Sequence, residues 1–162
     1  MNRIGDTLIH ASGNEALVRA LTTARVNFVV IGGLAMAWHI TERIADDMDL
    51  LIEPTLENGV AISKALDTLN LSTRAASELS KSGVQIQLKT IPFYAELLTP
   101  REKDPSYTEI VDEAVNGKLF GIPVRIASVS SLIKLKEIAL FAAEANRNKH
   151  FKDIQILKGQ AV

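Results

Sequence analysis

The chain of 162 residues predicts one α+β or α/β domain: a central mixed sheet with helices packed on it and further helices toward the C-terminal end. Three observations carry that expectation. Over the first half, helical periodicity alternates with short apolar runs in the order α-β-α-β-α-β. A glycine-centred hairpin follows, and the chain then returns to helical spacing.

The elements are expected in this order. Ser12-Gly13-Asn14-Glu15 is a capping-box pattern, with Ser12 at the N-cap and Glu15 three residues on. Ala16, Leu17, Ala20, Leu21 and Ala24 recur at helical spacing, so a first helix is expected from Asn14 to Arg25. Phe28–Ile31 reads as a buried strand, Leu34–Ile40 as a short apolar helix, and Met48–Ile52 as a second strand. Pro54-Thr55 starts a third helix that carries Leu56, Val60, Ile62, Leu66 and Leu69. Leu71–Ala76 is a weak extended segment, whereas Val84, Ile86 and Leu88 alternate with Gln85, Gln87 and Lys89 as a half-buried strand does. Pro92–Glu113, interrupted by Pro100 and Pro105, reads as loop and short helix. Lys118–Ile126 turns back at Gly121, and Pro123 puts one arm at a sheet edge. Ser130 caps a helix running through Arg147, and Phe151–Lys158 forms a last one.

Composition narrows the chemistry. There is no cysteine, so thiol catalysis, thiolate metal sites and disulfides are excluded, as fits a reducing cytoplasm. Met1-Asn2-Arg3-Ile4-Gly5-Asp6 lacks the apolar core of a secretion signal, and the longest apolar stretch, Phe28–Trp38, has 11 residues against the ~20 of a membrane span. A soluble cytoplasmic protein with no membrane partner is expected. The net charge of −1 advertises no polyanionic partner, but the charge is uneven. Six acids and one base lie between Thr41 and Glu57; six bases and three acids lie between Ser131 and Lys158. Such runs are either solvated faces or two halves of a site for a metal-bound polyanion.

The sharpest feature is Asp47-Met48-Asp49. Residues two apart in a strand share a face, so both carboxylates project together from an otherwise apolar segment. Two like charges there repel and cost desolvation unless a cation sits between them, which marks a divalent metal site. Asp46 turns to the opposite face. Gly32-Gly33 ends the preceding strand, either as a plain turn or as a close approach for a phosphate. Arg43 reads equally as a phosphate contact or as the ion-pair partner of a neighbouring acid. Trp38 and His39 read as packing residues of an apolar helix.

Ile31-Gly32-Gly33, thirteen residues, then Asp47-Met48-Asp49-Leu50 resembles the signature of the nucleotidyltransferase superfamily with the polymerase β-like palm. Ser131-Leu132-Ile133-Lys134-Leu135-Lys136, with Arg147-x-Lys149 and Asp153-Ile154, is similar to the C-terminal pattern of small prokaryotic members such as the AbiEii-like toxin branch. The likeness spans about Leu17–Ile52 and Pro92–Leu157. It implies a palm fold in which Asp47 and Asp49 are catalytic and hold Mg²⁺ or Mn²⁺. It further implies that Gly32, Gly33 and Arg43 contact phosphate, and that Lys136 and Lys149 offset the charge of a nucleoside triphosphate. The acceptor of the transferred nucleoside monophosphate is left open: RNA, protein or a small molecule. A homodimer or a cognate toxin or antitoxin are the further partners implied.

The chain departs from the pattern at four places. Gly33-Leu34 replaces a serine, Ala45 a threonine and His150 an aspartate; the strand expected to carry a third carboxylate shows Gln87, or Gln85 on the same face. Glutamine is neither a base nor a good Mg²⁺ ligand. The resemblance therefore leaves a second reading open, that of a degenerate fold acting as a nucleotide-binding or regulatory module.

Overall fold

A computed structural model describes residues 8, 11–40, 42–71, 75–142 and 147–160. Its elements in chain order are α1 (Ala11–Thr23), β1 (Phe28–Ile31), α2 (Gly32–His39), β2 (Met48–Ile52), α3 (Leu56–Thr68), β3 (Gln85–Leu88), β4 (Ala95–Leu98), α4 (Tyr107–Glu113), β5 (Val115–Leu119), β6 (Ile122–Ile126), α5 (Val129–Ala142) and α6 (Arg147–Gln160). The strands form one mixed sheet in the order β3-β4-β2-β1-β6-β5. β1 pairs antiparallel with β2 and parallel with β6; β2 pairs parallel with β4, and β3 antiparallel with β4. The mixed α+β architecture agrees with the sequence expectation.

Alternation sets which face is core. Met48, Leu50 and Ile52 of β2, Ala95 and Leu97 of β4, and Ile86 and Leu88 of β3 are buried on one face. They join Leu17, Val18 and Leu21 of α1 and Ile62 and Leu66 of α3 in a single apolar cluster. The opposite face of the same strands carries Asp49, Glu96, Gln85 and Gln87. Thr55 caps α3 by accepting from the Asn58 N–H, as its sequence position suggests. No helix among the described residues is long and apolar enough to cross a membrane.

Several local expectations are corrected. α1 begins at Ala11, which places Ser12 inside the first turn rather than at the N-cap. Ser128, not Ser130, caps α5: its hydroxyl accepts from the Ser131 N–H at 3.1 Å. α5 is described to Ala142, and residues 143–146 of the expected helix through Arg147 lie outside the described residues, as do residues 72–74 of the segment Leu71–Ala76. Leu56 and Val60 are exposed instead of lining the core side of α3. The hairpin turns at Phe120-Gly121, both at positive φ (55° and 77°), the pattern of a tight two-residue turn. One of its arms is indeed an edge, but it is β5; Pro123 lies on β6, which pairs with β1 only at Val30↔Ile126.

The correction that matters most falls between Pro92 and Glu113. Ala95–Leu98 is a strand, β4, and it lies inside the sheet between β2 and β3. The neighbour of β2 is therefore β4, and Glu96 is in register with Asp49.

Candidate functional site

The site is assembled where β1 ends and β2 begins. Antiparallel pairing brings Ile31 opposite Asp49, so the Gly32-Gly33 turn stands beside the acidic strand end. Gly32 has φ of 68°, a conformation that costs an L side chain strain. A Cβ there would also collide with Asp49 Oδ2, while one on Gly33 would meet nothing within 4 Å. α2 starts on these glycines with no side chain capping its first turn, which leaves its leading N–H groups free for an anion.

Three carboxylates gather on this end of the sheet. Asp49 and Glu96 face the same side from adjacent parallel strands, and Asp47 stands just before β2. Burial, then the charges of Asp47 and Glu96, raise the Asp49 carboxyl to about 7, against the opposing pull of Lys89 and Lys136. Each of the other two acids has donors. Lys89 Nζ donates to Asp47 Oδ2 at 2.9 Å, and Gln85 and Gln87 donate to the two oxygens of Glu96 at 3.3 and 3.2 Å. Partial burial pulls the Lys89 ammonium down, but its bond to Asp47 and the charges of Glu96 and Asp49 outweigh that and hold it above the usual lysine range. Asp46 is exposed.

The hard oxygen donors fit a Mg²⁺-like cation, and the mutual repulsion around Asp49 is what such a cation relieves. Among the described residues no group of three or more His, Asp or Glu side chains is placed so as to hold a metal ion.

A cleft of about 390 Å³ extends from Gly32 and Asp49 over Leu51 and Leu98 to Thr99, Arg101 and Asp104, and is covered by Leu132, Leu135, Lys136 and Ala139 of α5 and His150 of α6. Lys136, whose side chain is 14% exposed, lines it while donating to Asp153 Oδ2 at 2.9 Å. Arg43 donates to the other oxygen of Asp153 at 3.1 Å. Its ion-pair partner is thus an acid distant in sequence rather than a neighbouring one, and Arg43 is not in the cleft lining. Lys149 is exposed on α6 and is not in the lining either. His39 packs as expected, its Nε2 2.8 Å from the Ala127 carbonyl oxygen.

Sequence reasoning missed Glu96 and Arg101, and read His150 only as the replacement of an aspartate. Arg101 is held by a two-pronged bond to Asp104, both distances 2.9 Å. His150 has a buried Nδ1 with no hydrogen-bond partner among the described residues. Burial, then Lys136, with Lys149 and Arg101 adding to it against Asp153, lowers its basicity below the usual histidine range. The one available signal for Glu96 was its place in Tyr94-Ala95-Glu96-Leu97-Leu98-Thr99, a short apolar run between two prolines.

No family model matches the chain, and no curated protein sequence matches it. Solved structures do match it, two of which share its fold over most of their length. One is an antigenic nucleotidyltransferase-like protein from Paracoccidioides brasiliensis, at 14% identity and a TM-score of 0.51, covering 90% of this chain and 76% of that one. The other is ANT(2″)-Ia in complex with adenylyl-2″-tobramycin, at 14% identity and a TM-score of 0.59, covering 92% of this chain and 87% of that one. At that identity the likeness is one of fold, and with it the chain is seen to have the nucleotidyltransferase fold.

Proposed function

We propose that this protein is a metal-dependent nucleotidyltransferase that binds a nucleoside triphosphate with Mg²⁺ or Mn²⁺ and moves the nucleoside monophosphate to a hydroxyl of an acceptor. The observation that carries the reading is the set Asp47, Asp49 and Glu96 beside the Gly32-Gly33 turn, on a sheet of nucleotidyltransferase fold. A divalent cation held by Asp47 and Asp49 would supply charge neutralisation at the reacting phosphate. Gly32, Gly33 and the leading N–H groups of α2 receive the terminal phosphates, and Lys136 adds positive charge from α5. Glu96, oriented by Gln85 and Gln87, takes the proton of the acceptor hydroxyl. The oxygen–phosphorus bond then forms as the bond to pyrophosphate breaks, and the proton remains on the Glu96 carboxylate.

The second reading, a degenerate nucleotide-binding module or one half of a toxin–antitoxin pair, drew its support from Gln87. A carboxylate on β4 in register with Asp49 supports the catalytic reading on that point, while the departures at Gly33-Leu34, Ala45 and His150 stand. The neighbour solved with adenylyl-2″-tobramycin favours transfer of an adenylyl-type group to a hydroxyl-bearing small molecule, with RNA and protein as the other acceptor classes.

The test has two measurements. Calorimetry should detect nucleoside triphosphate binding that requires Mg²⁺ and is lost in Asp47→Asn and Asp49→Asn. Label from α-³²P-nucleotides, offered with RNA, protein and small-molecule pools, should be transferred by the wild type. Transfer should fall ~100-fold or more in Glu96→Gln while binding is retained. Absence of metal-dependent nucleotide binding would sink the proposal.

A further inference from the structure

β3 is an edge strand whose outward side chains form a row of hydrogen-bond donors. Gln85, Gln87 and Lys89 lie two apart on the face away from the core, and each donates to a carboxylate of the site. The glutamines serve Glu96. Lys89, one residue past β3, instead reaches over the chain entering β4 to Asp47, one residue before β2, a span of two strand spacings, about 10 Å. Only a long side chain can bridge that gap, and Lys89 does so from the same sheet end as the Gly32-Gly33 turn. Both members of this pair are partly open to solvent, at 38% and 45% of their side-chain surface. The contact is therefore easily broken.

We propose that Lys89 is the resident counter-cation of the site: it balances Asp47 while no metal is bound, and moves to the phosphates of the nucleotide once a divalent cation takes Asp47. The inference rests on the reading above that Asp47 and Asp49 hold the cation. A lysine suits the task because its ammonium is a mobile point charge on a flexible stem. Its two states make opposite demands. Before nucleotide arrives, Lys89 competes with the metal for Asp47. Afterwards it adds to the attraction for phosphate.

The experiment uses the full chain, with Mn²⁺ alone as the first probe and inorganic tripolyphosphate in saturating Mn²⁺ as the second. Free Mn²⁺ is followed by electron paramagnetic resonance and tripolyphosphate binding by calorimetry. Lys89→Met should bind Mn²⁺ roughly fivefold tighter than wild type and tripolyphosphate roughly fivefold weaker. Lys89→Arg should stay close to wild type in both. A lysine that merely supported the fold would weaken both on removal, so the opposed signs are the signature. Mn²⁺ binding by Lys89→Met that is no tighter than wild type, or tripolyphosphate binding that is unchanged, overturns the inference. A wild type that binds no Mn²⁺ overturns the metal reading beneath it, and the inference with it.

Discussion

Asp49 is the residue on which the site's energetics turn. Its carboxyl is raised to about 7 by burial first and by Asp47 and Glu96 next, so the folded, metal-free protein holds this proton more tightly than the unfolded chain does. The resulting stability is full below the unfolded value near 4 and is lost as pH rises through 7. In chelator-treated protein, Asp49→Asn should therefore raise stability at pH 8 by on the order of 2 kcal/mol, and leave it nearly unchanged at pH 4. Urea titrations at the two pH values check this, and an equal effect at both would refute the assignment. The glycine pair beside Asp49 offers a second contrast. Gly32→Ala meets strain at φ of 68° and a collision with Asp49, and should cost about 2–3 kcal/mol. Gly33→Ala has open space, and should cost no stability and gain up to ~1 kcal/mol from helix propensity. Thermal unfolding of the two variants decides whether the close approach lies at Gly32.

At the scale of elements, legibility followed pattern length. β1 and β2 were readable to the residue because their apolar runs end on glycine or begin at the acidic pair. α3 was readable because Thr55 and Pro54 mark its start, and β3 because it alternates cleanly. β4 has only four residues and is framed by Pro92 and Pro100, so the turn signals on both sides outweighed its pattern. Glu96 then had no place, and Gln87 was read as standing where a carboxylate belonged. Asp47 and Asp49 were legible from local parity, whereas the partners of Arg43, Lys89 and Lys136 were not. Those bonds join residues 110, 42 and 17 positions apart, and no periodicity encodes such closures.

The whole molecule is tied together across that same distance by Asp153. This side chain, 3% exposed, accepts from Lys136 of α5 and from Arg43 in the segment leading to Asp47, so α6 is latched to both walls of the site. Burial alone would raise its carboxyl; the bonds to Lys136 and Arg43 outweigh burial and hold it below the usual carboxylate range. Its contribution is therefore present above the unfolded value near 4 and lost as pH falls below that. Asp153 and Asp49 thus oppose each other, one failing in acid and the other as pH rises through 7. From these two groups alone, metal-free protein should be most stable near pH 4, around the unfolded carboxylate value, and lose stability as pH rises from there to 7. Removing the acid leaves two cations facing each other in a buried setting, so Asp153→Asn should cost about 3 kcal/mol at pH 7. The added change Lys136→Met should return part of that loss, because it removes one of the two cations left without a carboxylate and the repulsion between them. Denaturant unfolding of the two single variants and the double variant gives the coupling directly. A coupling below ~0.5 kcal/mol would show that Asp153 and Lys136 act independently, and that α6 is held to the site by its apolar contacts instead.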